Sequence, residues 1–143
     1  MTFRPVMRIE EVAAFLEREF PQIQAGGRPY SIAAIGPGSA TLRLDPSDAH
    51  LRPGGTVSGP TLFALADLAA YVAILAHIGP VALAVTTNLN INFLRRPPLA
   101  ALIGECRILK LGKRLAVTEV TIRGTADEEI VAHATATYSI PPR

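Results

Sequence analysis

The chain has 143 residues, of which 49% are hydrophobic and 18% charged, and its formal net charge is +2. This balance excludes a disordered chain, and so small a charge, spread along the sequence, carries no nucleic-acid footprint. The length suits one domain, residues 1–143, and so few charges predict that a second subunit covers part of the apolar surface.

A single cysteine, Cys106, allows no intrachain disulfide and no cysteine-based metal cluster. The first ten residues lack the apolar run of a cleaved signal, so a cytoplasmic location is expected. From Met7 to Phe20, Ile9, Val12, Ala13, Phe15, Leu16 and Phe20 fall on one side of a helix, and Glu10, Glu11, Glu17, Arg18 and Glu19 fall opposite. This predicts an amphipathic helix stopped by Pro21, with residues 1–22 preceding the core. Gln22 to Pro29 reads as a loop, and Tyr30–Ile35 and Ser39–Leu44 as strands joined at Gly36-Pro37-Gly38. Asp45 to Gly55 reads as irregular.

From Thr61 to Ile78 the apolar residues fall on every side of a helical wheel, as in a buried helix. Asp67 near its midpoint disfavours a membrane span, because a central carboxylate there costs about 2.5 to 3.5 kcal/mol. Gly79-Pro80 ends the helix. Val85, Thr87, Leu89, Ile91 and Phe93 then alternate with Thr86, Asn88, Asn90 and Asn92, predicting a half-buried strand with a polar back. Ala100–Leu111, Leu115–Arg123 and Ile130–Ile140 are further strands, separated by turns at Gly112-Lys113-Arg114 and Gly124 to Glu129. The expected class is α+β: an antiparallel sheet wrapped around one long helix, the hotdog architecture. Six strands leave part of that helix uncovered, so a homodimer is expected.

Two features of the central stretch carry chemistry. Gly54-Gly55-Thr56-Val57-Ser58-Gly59-Pro60 abuts the helix N-terminus, whose free N–H groups and positive dipole end suit an oxyanion or a polarised carbonyl. The same pattern also describes an ordinary helix entrance, with Ser58 or Gly59 as N-cap and Pro60 in the first turn. Asp67, in an Ala- and Leu-rich helix, needs hydrogen-bond partners, a raised pKa or a wet pocket, and a purely structural buried acid is the competing reading. Phe63 and Tyr71 lie one turn either side of it, as candidate acyl-pocket walls or plain core filling. Thr86 and Asn88 are candidates to hold a water or a carbonyl. His50, His77 and His133 show no ligand spacing, so no metal is assigned.

The run GGTVSGPTLFALADLA, Gly54 to Ala69, resembles the hotdog-fold acyl-CoA thioesterases of the PaaI-like, phenylacetate-pathway type. NLNINFLRRP, GKRLAVTEVTI and VAHATATY resemble that family's strands, and the likeness covers roughly residues 40 to 140. It implies hydrolysis of an acyl- or aryl-CoA thioester, with Gly59 as the oxyanion-hole glycine, Asp67 as nucleophile or general base, and Thr86 positioning water. It implies no separate cofactor, since CoA is part of the substrate, and a dimer or dimer of dimers. Ser58 stands where the family usually has His, Pro60 where it has a second Gly, and Arg52 where many members have Asn, so these three meet the substrate differently. Arg95, Arg96, Lys113 and Arg114 are candidates for the CoA phosphates. The rival readings are an acyl-CoA-binding protein with a decayed site and an acyl-thioester hydratase or dehydratase, which needs a pocket His that the loop lacks.

Overall fold

The computed structural model describes residues 2–142. Helix α1 (Ile9–Glu19) turns Val12, Phe15 and Leu16 inward, and a short 3-10 turn over Pro21–Gln24 follows it. Strands β1 (Tyr30–Gly36) and β2 (Ser39–Leu44) form a hairpin. The segment expected to be irregular, Asp45 to Gly55, holds the first strand of a two-residue ribbon, β3 (Leu51–Arg52), and the turn at Pro53-Gly54-Gly55 that leads to the second, β4 (Thr56–Val57). Strands so short show no alternation in sequence, so only the fold reveals them.

Helix α2 (Gly59–Ile78) begins two residues before the apolar pattern does, because the cap and first-turn residues Ser58, Gly59 and Pro60 are not apolar. Its length and composition would suffice to cross a membrane, yet most of its side chains are packed inside the protein. Strands β5 (Val85–Phe93), β6 (Leu102–Leu111), β7 (Leu115–Gly124) and β8 (Ile130–Ser139) complete a six-stranded antiparallel sheet in the order β1-β2-β6-β7-β8-β5. The sheet curls around α2, and Gly104 on β6 is what lets the helix come close. A Cβ there would stand 3.3 Å from the Leu65 side chain and 3.6 Å from Ala69. This is the hotdog fold.

Strand β5 is an open edge, and it departs from simple alternation. Leu89, Ile91 and Phe93 pair with the inward-facing Ala136, Ala134 and Ala132, but a bulge between Thr86 and Asn88 resets the phase. Thr86 therefore pairs with the buried Tyr138 and faces the helix, while Val85 and Thr87 are exposed. A bulge places one extra residue on its strand and re-aims the side chains beside it.

Candidate active site

The carboxylate of Asp67 lies half-buried on α2, facing the β5–β8 corner of the sheet. Thr86 donates its hydroxyl to Asp67 Oδ1 at 2.6 Å, and the Tyr138 hydroxyl lies 2.7 Å from the same oxygen and 2.9 Å from the Asp67 carbonyl oxygen. No hydrogen bond to Oδ2 is found among the described residues. A pocket of about 350 Å³ opens in front of the carboxylate, walled by Tyr71, Leu68, Tyr138, Thr86 and the end of α1 at Glu19 and Phe20. Tyr71 stacks on Tyr138 with ring centroids 6.1 Å apart, gives its hydroxyl to the Ala82 carbonyl at 2.9 Å, and receives the edge of Phe20. Burial pushes the Tyr138 phenol well above the usual tyrosine range, and the charge of Asp67 pushes it further, so it stays protonated. Burial, followed by the charge of Glu19, raises Tyr71 as well.

The helix entrance forms a second, separate pocket of about 360 Å³, lined by Gly59, Leu62, Phe93 and the cations Arg52, Arg95 and Arg96. Its backbone is tied down by hydrogen bonds from Val57 N to the Pro97 carbonyl and from Ser58 N to the His50 carbonyl. Ser58 is the N-cap: its Oγ accepts the Thr61 N–H at 3.3 Å, and its carbonyl accepts that of Leu62. Pro60 has no N–H. The Gly59 N–H is thus the one first-turn amide with no acceptor among the described residues, and it sits at the positive end of the α2 dipole. A Cβ on Gly59 would lie 3.4 Å from the Phe93 ring, at ordinary contact distance, so any side chain there extends into the space beside Phe93.

A model of the thioesterase superfamily matches residues 54–137, more than half of the chain. The chain belongs to that superfamily. A provisionally assigned thioesterase from Silicibacter sp. TM1040 is 48% identical, with 98% of this chain and 96% of that one covered and a TM-score of 0.89. A mutant form of the phenylacetic acid degradation protein PaaI from Thermus thermophilus is 26% identical, with 85% and 99% covered and a TM-score of 0.73. A Streptococcus mutans protein bound to acetyl-CoA, 22% identical over 80% of this chain and 90% of that one with a TM-score of 0.70, shares the fold. No curated protein matches. Membership of the superfamily and the Silicibacter relative support thioester hydrolysis, and the likeness to PaaI agrees with the resemblance of the Gly54 to Ala69 run.

In this thioesterase Asp67, Thr86 and Tyr71 come together, whereas Gly59, Arg52, Arg95 and Arg96 gather at the other pocket. Arg95 also pairs with Glu129 at 2.7 Å. Phe63 is exposed and lines neither pocket, and Asn88 lies on the outer face of β5 in phase with Asn90 and Asn92, while the bulge before it turns Thr86 in. Lys113 and Arg114 stand exposed on the β6–β7 turn, outside both pockets. Thr86, expected to hold a water or a carbonyl, spends its proton on Asp67. No histidine lines the Asp67 pocket: His77 is buried with both ring nitrogens engaged by Gly38 N and the Ala73 carbonyl, His50 binds Ser47, and His133 faces Glu119.

Sequence reasoning missed Tyr138, Glu19 and Phe20. Tyr138 was detectable as the last member of the inward row Ala132, Ala134, Ala136, Tyr138, where three small residues are followed by one phenol. Glu19 and Phe20 gave no signal, because only the packing of α1 on α2 brings them to the pocket.

Proposed function

We propose that this protein hydrolyses an acyl- or aryl-CoA thioester to free acid and CoA, at two sites built across a homodimer. The observation that carries the reading is that the two halves of a hydrolytic site, a free helix-terminal amide and a held carboxylate, exist in one chain but line different pockets. Gly59 and Asp67 are eight residues apart on α2, about 12 Å along the axis at 1.5 Å per residue. A thioester carbonyl about 3 Å from the Gly59 amide is out of reach of the same chain's Asp67.

The open edge of β5 supplies the means to join them. Thr86 marks the Asp67 pocket and Phe93 the Gly59 pocket, at opposite ends of that strand. Antiparallel pairing with a second β5 sets the Thr86 end of one strand beside the Phe93 end of the other. Each Asp67 then faces Gly59 of the partner subunit. The exposed apolar side chains Val85, Phe93 and Leu94 support a covered edge, since an unpaired strand of this kind is an aggregation liability.

In the composite site the Gly59 amide polarises the thioester carbonyl and takes up charge as it becomes tetrahedral. Asp67 either takes a proton from the water that attacks the carbonyl carbon or attacks it directly, giving a mixed anhydride that water then hydrolyses; in both cases the C–S bond breaks and the CoA thiolate leaves. The cluster Arg52, Arg95 and Arg96 at the Gly59 pocket suits the CoA phosphates. The absence of an imidazole from the Asp67 pocket favours hydrolysis over hydration of an acyl thioester.

Complementation tests the shared site. An Asp67→Asn protein and a Gly59→Val protein, each inactive alone, are dissociated, mixed and reassociated, and thiol release is followed on a panel of short, medium-chain and aromatic acyl-CoAs. A heterodimer should regain one intact site. Demonstrable heterodimers without activity would show that Asp67 and Gly59 do not act across subunits.

A further inference from the structure

We propose that Tyr138 is a positioning residue: together with Thr86 it pins Oδ1 of Asp67 and so reserves Oδ2 for the reaction. The proposal rests on the reading of Asp67 as the reacting carboxylate. Tyr138 lies one residue beyond the span matched by the thioesterase superfamily model, so its role is read from this chain's own geometry.

The argument begins with the strand. Small alanines on the inner face of β8 leave room for α2, and at the end of that row the phenol reaches towards the helix at Asp67. Tyr138 is 3% exposed, and a buried phenol must find a partner for its hydroxyl. Tyr71, stacked against it, shows the ordinary solution, a single bond to the Ala82 carbonyl. The Tyr138 hydroxyl has such a carbonyl within reach, that of Asp67 itself at 2.9 Å, yet it sits closer to the carboxylate, at 2.7 Å. A charged acceptor takes the stronger bond.

Thr86 completes the clamp from the neighbouring strand. Thr86 and Tyr138 are register partners across β5 and β8, and the bulge next to Thr86 turns its side chain to the same face. Two donors from one cross-strand pair converge on one carboxylate oxygen, so the carboxylate plane is fixed and its other oxygen is left unpaired at the pocket. Fixing a reacting group in advance removes orientational entropy from the barrier. Because the Tyr138 hydroxyl is donated to Asp67, its loss acts on kcat more than on substrate affinity.

Tyr138→Phe is the test, with Asp67→Asn and, as the control for loss of a phenol hydroxyl, Tyr30→Phe on β1, outside both pockets, measured alongside on the best substrate of the acyl-CoA panel. Tyr138→Phe should lower kcat about tenfold to a hundredfold with KM within about twofold, while Tyr30→Phe stays near the parent kcat. If the Phe variant fails to fold, Tyr138→4-fluorophenylalanine fills the volume of the hydroxyl without its proton and takes its place. Unchanged kcat in the variant lacking the hydroxyl, with Asp67→Asn inactive, overturns the positioning role and leaves the catalytic reading standing. Equal losses in the Tyr138 and Tyr30 variants, tracking the loss of folded protein in thermal melts, assign Tyr138 to stability alone and also overturn it. An active Asp67→Asn protein removes the catalytic reading and this proposal with it.

Discussion

The two pockets of this thioesterase are made of different materials. The Gly59 pocket is backbone chemistry: a capped helix end, a tied-down loop and one amide left over. The Asp67 pocket is side-chain chemistry, assembled from α1, α2, β5 and β8, elements far apart in sequence. Backbone donors are held in place by the helix that bears them and need little support. A carboxylate on a helix surface has free torsions, and here Thr86 and Tyr138, the latter stacked on Tyr71, hold it. Both pockets lie on one helix too far apart to serve one carbonyl, which is why the function proposed above joins two β5 edges.

The contrast predicts that damage to each pocket reads out differently. Asp67→Asn keeps the size and most of the hydrogen bonding but removes the base or nucleophile. It should lower kcat by about 100-fold or more with the melting temperature little changed. Wild-type turnover in this variant would end the assignment of Asp67 as the reacting group. Gly59→Val should cost about 100-fold in kcat/KM, because the side chain fills the space between the amide and Phe93 and keeps the carbonyl from the donor. The Cβ is tolerated at ordinary contact distance, so a folded, inactive protein is expected, and full activity would place the oxyanion donor elsewhere. The smallest effect falls on the cap. Ser58→Ala removes the acceptor for Thr61 N–H and should destabilise the fold by about 1 kcal/mol while kcat changes little, as denaturant titration and steady-state rates would show. A large loss of kcat at unchanged stability would mean that Ser58 meets the substrate directly.

Much of the architecture was legible in the sequence, and the places where it was not are informative. The all-round apolar pattern of α2 marked a buried axis, and four of the sheet's strands follow their alternation. Alternation failed at one end of β5, where Thr87 was read as inward and Thr86 as outward. That failure lies at the site. A bulge is a property of pairing between two strands, so no single strand's pattern announces it, and it turned Thr86 towards Asp67 and Thr87 outward. Helical spacing likewise put Phe63 and Tyr71 on one face with Asp67, but only Tyr71 is covered by β8 and the end of α1.

By itself the sequence determined what depends on near neighbours: the glycine-rich turn, the Ser58 cap, the proline in the first helical turn and the solitary acid in an apolar helix. These are local because caps, turns and helix faces are set by residues within a few positions of one another. Only the tertiary structure decided which donors reach that acid. Thr86 is 19 residues from Asp67 and Tyr138 is 71 residues away, and they meet on one oxygen because the sheet curls around the helix and places two distant strands side by side.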